Sequence, residues 1–177
     1  MSDKATVVLN AIHARRSVRH FTGEPVTKAC LLALMKAGIA APSARNRQPI
    51  VFVAVTGRKT LDHLAEALPY TKMLTTAGAC IVVCGDGSIP LQEGATDLWD
   101  QDAAAAAENI LIAAEAMGLG AVWSALWPYP DRGGVVASAL SLPAHVTPFC
   151  IIPVGHPTGE DLPKDKFSPG KIHWNGW

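Results

Sequence analysis

Residues 98–117 constrain the fold more than any other stretch of the chain. They carry an unbroken alanine run, Ala103 to Ala107, followed closely by Ile110, Leu111, Ile112, Ala113 and Ala114. Asp97, Asp100 and Asp102 stand at the start, where a helix dipole favours negative charge. Gly118 follows Met117, in the place of a C-cap glycine. The spacing predicts one long helix that is apolar almost all round. Such a helix has to be covered on most of its faces. It therefore belongs at the centre of the fold, and part of its cover can come from a partner subunit. The small alanine side chains would let another helix approach closely.

Apolar runs elsewhere predict what surrounds it. Residues 50–56 and 79–84 are near-continuous apolar segments, the pattern of strands buried on both faces. Further strands are predicted at 119–126 and 147–155. Helical spacing appears at 5–14 through Val8, Leu9 and Ile12, and from Thr27 as N-cap to about Ala40 through Leu31, Leu34, Met35 and Ile39. It appears again at 58–67 and at 131–140. With 177 residues, 49% apolar and 17% charged, the chain can bury a proper core as one domain. No repeat or linker divides it. The tail from His156 to Trp177 is poor in apolar residues, yet ends Trp174-Asn175-Gly176-Trp177. It is expected to dock, for instance on a second subunit.

Several kinds of chemistry are excluded. No GxGxxG opens a helix after a strand, because Gly118-Leu119-Gly120 precedes a strand and Gly85-Asp86-Gly87 runs into Pro90. There is no phosphate-binding P-loop, no HExxH and no GxSxG. The six histidines have no metal-ligand spacing, so no metal site is expected. Cys30, Cys80, Cys84 and Cys150 form no CxxC pair. Cys80 and Cys84 share one face of a predicted strand and read as buried thiols. Glu108 and Glu115 lie on the long helix, and Glu108 could be a buried, paired carboxylate, but no nucleophile–base pair can be assembled. The start, Met1-Ser2-Asp3-Lys4, has no apolar signal core, and no apolar run reaches membrane-spanning length. A cytoplasmic protein without a membrane partner is expected.

What remains is a dispersed set of donors. Net charge is zero, which argues against a nucleic-acid partner. Residues 1–60, however, hold ten Lys/Arg against two Asp/Glu, and the remainder is correspondingly acidic. Arg15-Arg16-Ser17-Val18-Arg19 places three guanidinium groups and a hydroxyl within five residues. In an extended segment Arg15, Ser17 and Arg19 would point one way, with Arg16 and Val18 the other. That would be an anion cradle with an apolar anchor, since the guanidinium fork pairs phosphate oxygens two at a time. A solvated basic turn is the plainer alternative. The loop Ala41-Pro42-Ser43-Ala44-Arg45-Asn46-Arg47-Gln48-Pro49 offers directional donors and acceptors suited to a heterocycle edge, or is an ordinary connection. Lys72 follows in a short turn. A chain with phosphate and heterocycle donors but no catalytic side chains suits a bound cofactor that does the chemistry itself.

Five segments, in order, give the chain a resemblance to the nitroreductase family of FMN-dependent oxidoreductases, in its short form. They are Arg15 to Phe21, Ala41 to Pro49, Lys72-Met73-Leu74, Asp102 to Trp123, and Val154-Gly155-His156-Pro157 with Lys164 to Trp174. The resemblance implies an α+β fold, a mixed central sheet flanked by helices, in an intertwined homodimer with FMN at the interface. By position, Arg15, Ser17, Lys164 and Lys166 would hold the phosphate. Arg19 would sit near the pyrimidine side of the flavin, with Arg16 beside it. Pro42, Ser43 and Asn46, from the other chain, would line the ring and ribityl. Lys72 would be near the polar edge, and the main chain around Ser124 and Ala125 would face the dimethylbenzene-to-N5 side. Many relatives carry a Glu-Gly pair there, and Ala125-Leu126 departs from it. The implied activity is ping-pong hydride transfer from NADH or NADPH through flavin N5 to a small acceptor such as a nitroaromatic, quinone or enone. Flavin fragmentation, reductive dehalogenation and non-catalytic FMN binding are the alternatives.

Overall fold

A computed structural model describes residues 2–91, 93 and 97–177, so that Met1 of the N-terminal reading lies outside it. The long helix forms as expected. We call it α4 (Trp99–Ala116), after α1 (Asp3–Ala14), α2 (Lys28–Ile39) and α3 (Arg58–Ala67), and before α5 (Pro130–Leu140). The strands are β1 (Ile50–Val55), β2 (Ala79–Asp86), the short β3 (Gly120–Ala121) and β4 (Ser124–Ala125), and β5 (Val146–Gly155). They form one sheet in the order β1-β2-β5-β3, with β4 also paired to β5. The resemblance implies a mixed sheet. Within this chain every described pairing is antiparallel.

The layers follow from the period-two alternation of β2. Ala79, Ile81 and Val83 face one way, onto Ala103, Ala107, Ile110, Leu111 and Ala114 of α4 and Leu31 and Leu34 of α2. Cys80, Val82 and Cys84 face the other way, onto Leu61 and Leu64 of α3 and Val136 of α5. The sheet is thus covered by α2 and α4 on one side and by α3 and α5 on the other. Cys80 and Cys84 are buried and unpaired, as read from the sequence, and Cys150 is buried and unpaired beside them. Their apolar surroundings push the Cys80 and Cys84 thiols up to about 12.

Local chemistry sets the helix ends. Thr27 caps α2, its Oγ1 accepting from the Cys30 N–H at 3.2 Å. Ser2 caps α1 in the same way, from Ala5.

Two expectations need correction, and one that holds has an unexpected surface. The segment 119–126 is not one strand. It breaks into β3 and β4, because Val122 and Trp123 leave the ladder between two short pairings with β5. The first strand is not covered on both faces: β1 lies at the sheet edge, pairs only with β2, and leaves Ala54 exposed. Helix α1 forms, but buries no residue in this chain, and Val7, Val8, Leu9 and Ile12 are exposed. Its apolar stripe has no cover within the protomer. Phe167, Trp174 and Trp177 of the tail are exposed as well.

Candidate functional site

The arginine segment is held from both sides. Val18 is buried, as the alternation predicts, and its N–H donates to the Ala121 carbonyl at 3.0 Å. Gly120 makes this approach possible, since a Cβ there would lie 2.8 Å from the Val18 Cβ. Gly155 does the same for Phe21, whose Cδ1 would be 2.8 Å from an added Cβ. With Val18 and Phe21 pinned inward, Ser17 and Arg19 face solvent.

Arg15 and Arg16 do not separate as strict alternation predicts. Both reach α4, where the glutamates stand two turns apart. Arg15 Nε lies 2.9 Å from Glu108 and Arg16 Nη1 lies 2.7 Å from Glu115. Glu108 is therefore paired, but its side chain is 45% exposed rather than buried.

The tail closes this site through a residue that sequence reasoning missed. Asp161 Oδ2 accepts from the Arg19 N–H at 2.8 Å and the His20 N–H at 3.1 Å, with His20 Nδ1 also 3.1 Å away. Its carbonyl accepts from Arg16 Nε at 2.7 Å. Burial works against the Asp161 charge, but these hydrogen bonds outweigh it and hold the carboxyl below the usual aspartate range. The signal available in the sequence was an acidic pair, Glu160-Asp161, just ahead of the basic Lys164 and Lys166.

The result is a cleft of about 500 Å³ that brings together Arg15, Arg16, Ser17, Arg19, Lys164 and Lys166. A second cleft, of about 460 Å³, holds Lys72, Ser124 and Ala125. Arg19 lines both, so the two join at that residue. At the second cleft the Ser124 hydroxyl donates to the Tyr70 carbonyl at 3.3 Å. What residues 124 and 125 offer a ligand is therefore main chain. Tyr70 itself has φ 62, a left-handed conformation that a bulky residue rarely adopts. Arg132, Tyr70 and Trp123 also border this cleft, and none was given a site role from the sequence. Trp123 closes one of the five resemblance segments, but no motif reaches Tyr70 or Arg132.

Pro42 and Ser43 are not brought to either cleft in the same chain. They line a small recess of about 40 Å³ beside Asp102. Asn46 turns its side-chain oxygen to Gln48 Nε2 at 2.9 Å. The loop is more than a connection: Arg45, Asn46 and Gln48 all have positive φ, near 53, 54 and 56°. Each such non-glycine position costs on the order of 1 kcal/mol. Arg47 is used structurally, donating to Asp97 at 2.7 Å and to the Ile89 carbonyl at 2.8 Å. Asp102 is buried and accepts from the Ala44 N–H at 2.8 Å, while its Oδ2 has no partner among the described residues. No group of three or more His, Cys, Asp and Glu is placed to hold a metal ion, and no helix is long and apolar enough to cross a membrane, among the described residues.

An antiparallel sheet flanked by helices, with a cationic double cleft, suits a protein that binds an anionic cofactor. The model of the nitroreductase family matches residues 12–70 and 59–156, and the chain belongs to that family. An archaeal relative from Methanothermobacter thermautotrophicus, provisionally named NADH dehydrogenase/NAD(P)H nitroreductase, is 37% identical over 96% of this chain and 87% of its own length. A crystal structure from Parabacteroides distasonis, of a protein with the same provisional name, superposes with a TM-score of 0.89 at 46% identity, covering 96% of this chain and 98% of that one. A provisionally named nitroreductase from Desulfovibrio desulfuricans, solved in complex with FMN, matches at 30% identity and a TM-score of 0.79 over 96% of this chain and 97% of that one.

Proposed function

We infer that the chain is an FMN-dependent NAD(P)H oxidoreductase, that residues 1–177 form one FMN-binding unit, and that it works as an intertwined homodimer. The observation that carries the reading is the double cleft. The first half collects three arginines, two lysines and a hydroxyl against Glu160 and Asp161, an excess of donors suited to a phosphate dianion even with Arg15 and Arg16 each sharing a glutamate. The second half is large enough for a ring system and is joined to the first through Arg19. The residues present thus fit FMN, with Arg15, Ser17, Lys164 and Lys166 to hold the phosphate. Arg19, with Arg16 beside it, would sit near the pyrimidine side of the ring, Lys72 near its polar edge, and main chain at Ser124 and Ala125 on the dimethylbenzene-to-N5 side.

The homodimer is supported by surfaces that the protomer leaves uncovered. Helix α1 buries nothing, and Trp174 and Trp177 stand open. A partner would supply Pro42, Ser43 and Asn46 to each site, which accounts for their distance from the clefts in a single chain. The strained loop that carries them is then held for a purpose across the interface.

Held by these residues, FMN would supply the hydride chemistry between NADH or NADPH and an acceptor that takes the donor's place. For a nitro acceptor the overall change is R–NO2 + NAD(P)H + H⁺ → R–NO + NAD(P)⁺ + H2O. The protein's share is positional and electrostatic. Arg19 has no carboxylate partner for its guanidinium among the described residues, and so sets a positive charge where reduction adds negative charge. The Ser124–Tyr70 hydrogen bond fixes the wall of the ring site. No side-chain acid or base is required.

The test is an absorbance spectrum of the purified protein, before and after anaerobic NADH and then NADPH. A flavin spectrum that bleaches with a donor and recovers with an acceptor is expected. A flavin spectrum bleached by neither donor would transfer the reading to flavin fragmentation, dehalogenation or simple FMN binding. A colourless protein that takes up no FMN would end it.

A further inference from the structure

The charge of the second cleft is not used up by the reading above. Its walls carry three cations, Arg19, Lys72 and Arg132, and no carboxylate. Elsewhere in the chain Arg15 is paired with Glu108, Arg16 with Glu115, Arg47 with Asp97 and Arg58 with Asp62. Arg19, Lys72 and Arg132 have no such partner among the described residues. Two of the three are accounted for by the polar edge of a flavin. Arg132 is not, because the oxidised ring bears no charge and the phosphate site lies in the other cleft.

Arg132 is nonetheless held in place. Its guanidinium carbon lies 3.8 Å from the centroid of the Tyr129 ring and 5.9 Å from that of Tyr70. Its Nη1 is 3.5 Å from the Ala125 carbonyl, at the wall assigned to the flavin ring. Stacking occupies the face of a guanidinium and leaves its N–H edge free to pair with a planar anion. Tyr70, in its strained backbone conformation, is 80% exposed as a residue beside this edge. Trp123 and Met73 add apolar wall. A preorganised cation between aromatic rings, with its donor edge open, is what a planar anionic substrate needs.

We propose that Arg132 is the specificity-determining anchor of the acceptor. In this role its fork pairs the carboxylate or sulfonate of an aromatic acceptor whose ring lies against the flavin and whose flank meets Tyr70. The proposal rests on the oxidoreductase reading, and deepens it by naming the acceptor class as anionic aromatics rather than neutral ones.

The experiment uses the purified holoenzyme and its Arg132→Gln and Arg132→Lys variants. Turnover is followed with 4-nitrobenzoate and with its neutral methyl ester. In parallel, the unreactive benzoate and benzamide are titrated by calorimetry, which reads binding without turnover. The wild type is expected to favour 4-nitrobenzoate over the ester in kcat/KM. Arg132→Gln should lower that preference about tenfold, mainly through KM, the size of one charge-assisted contact at an open site. It should weaken benzoate binding by a similar factor relative to benzamide, and Arg132→Lys should keep part of both. An unchanged preference together with unchanged benzoate binding overturns the proposal. So does an effect confined to the KM of NADH or NADPH, which would place the charge on the donor's phosphates. A wild type that is bleached by the donor, yet shows no dependence on Arg132, fails here while leaving the oxidoreductase reading intact. A wild type that no donor bleaches fails the reading itself, and the calorimetric titration then decides whether Arg132 binds carboxylates.

Discussion

Replacing Arg15 with Ala should weaken FMN binding by more than one phosphate contact, because it uncovers Glu108. In the folded chain the two side chains are 2.9 Å apart, with Arg15 19% and Glu108 45% exposed. A hydrogen bond to a charged group contributes about 1.5–3 kcal/mol. Once Arg15 is gone, the Glu108 carboxylate faces the phosphate without an intervening cation. Two like charges about 7 Å apart, at an effective dielectric of about 40, repel by about 1 kcal/mol. The sum, about 2.5–4 kcal/mol, corresponds to a Kd raised roughly 100- to 1000-fold. Adding Glu108→Gln to Arg15→Ala should remove the repulsion and recover about five- to tenfold. High salt should shrink that recovery, because a half-exposed charge is screened within a Debye length of about 3 Å at 1 M. The assay is quenching of FMN fluorescence on titrating apoprotein, at low and at high salt. A Kd for Arg15→Ala within about threefold of wild type would refute the phosphate assignment. A full loss in Arg15→Ala that Glu108→Gln leaves untouched would refute the uncovering argument alone.

Asp161→Asn should destabilise the protein at neutral pH. Because the folded carboxyl sits below its usual value, the stabilisation is complete above about pH 4 and is lost as pH falls further. Thermal melts of the two proteins should therefore differ at pH 7 and draw together as pH falls below the usual aspartate range; a constant gap would show that the charge is not involved. Gly78→Ala should cost about 3 kcal/mol, or roughly 10 °C in Tm, since an added Cβ presses on the Glu24 carbonyl and lies 2.9 Å from Val26 N, both rigid backbone. A melt within 2 °C of wild type, by the same rough scaling, would contradict that packing. An alkylating reagent at pH 8 should modify only Cys30 in the native state, because burial pushes the Cys80 and Cys84 thiols up to about 12 and Cys150 is equally enclosed. Mass spectrometry showing label on Cys80, Cys84 or Cys150 before unfolding would refute it.

Much of the architecture was written in local pattern. Helical periodicity placed α3 at its observed bounds, and Thr27 as the cap of α2, because capping and apolar spacing are decided by neighbours in sequence. The continuous apolar run at 79–84 foretold β2, the central strand buried along its length. The basic character of the first cleft was legible too, since Arg15, Ser17 and Arg19 lie within five residues of one another. Pattern could not say that β1 would end at an edge, nor that 119–126 would break in two, because both depend on which strands are available to pair.

The sequence by itself therefore determined the helices, the central strands and the chemical type of the first cleft, a cluster of cationic and hydroxyl donors. Those properties are carried by residues close together in the chain. Only the tertiary structure decided which charges are spent and which are free. Glu108 and Glu115 neutralise Arg15 and Arg16 across about a hundred residues of sequence, and Asp161 ties the tail to the Arg19 N–H across 142. Arg132 gains its meaning from Tyr129, Tyr70 and the Ala125 carbonyl, three neighbours that no motif connects. Electrostatics acts through space, over a few ångströms, and the chain's order does not record those distances.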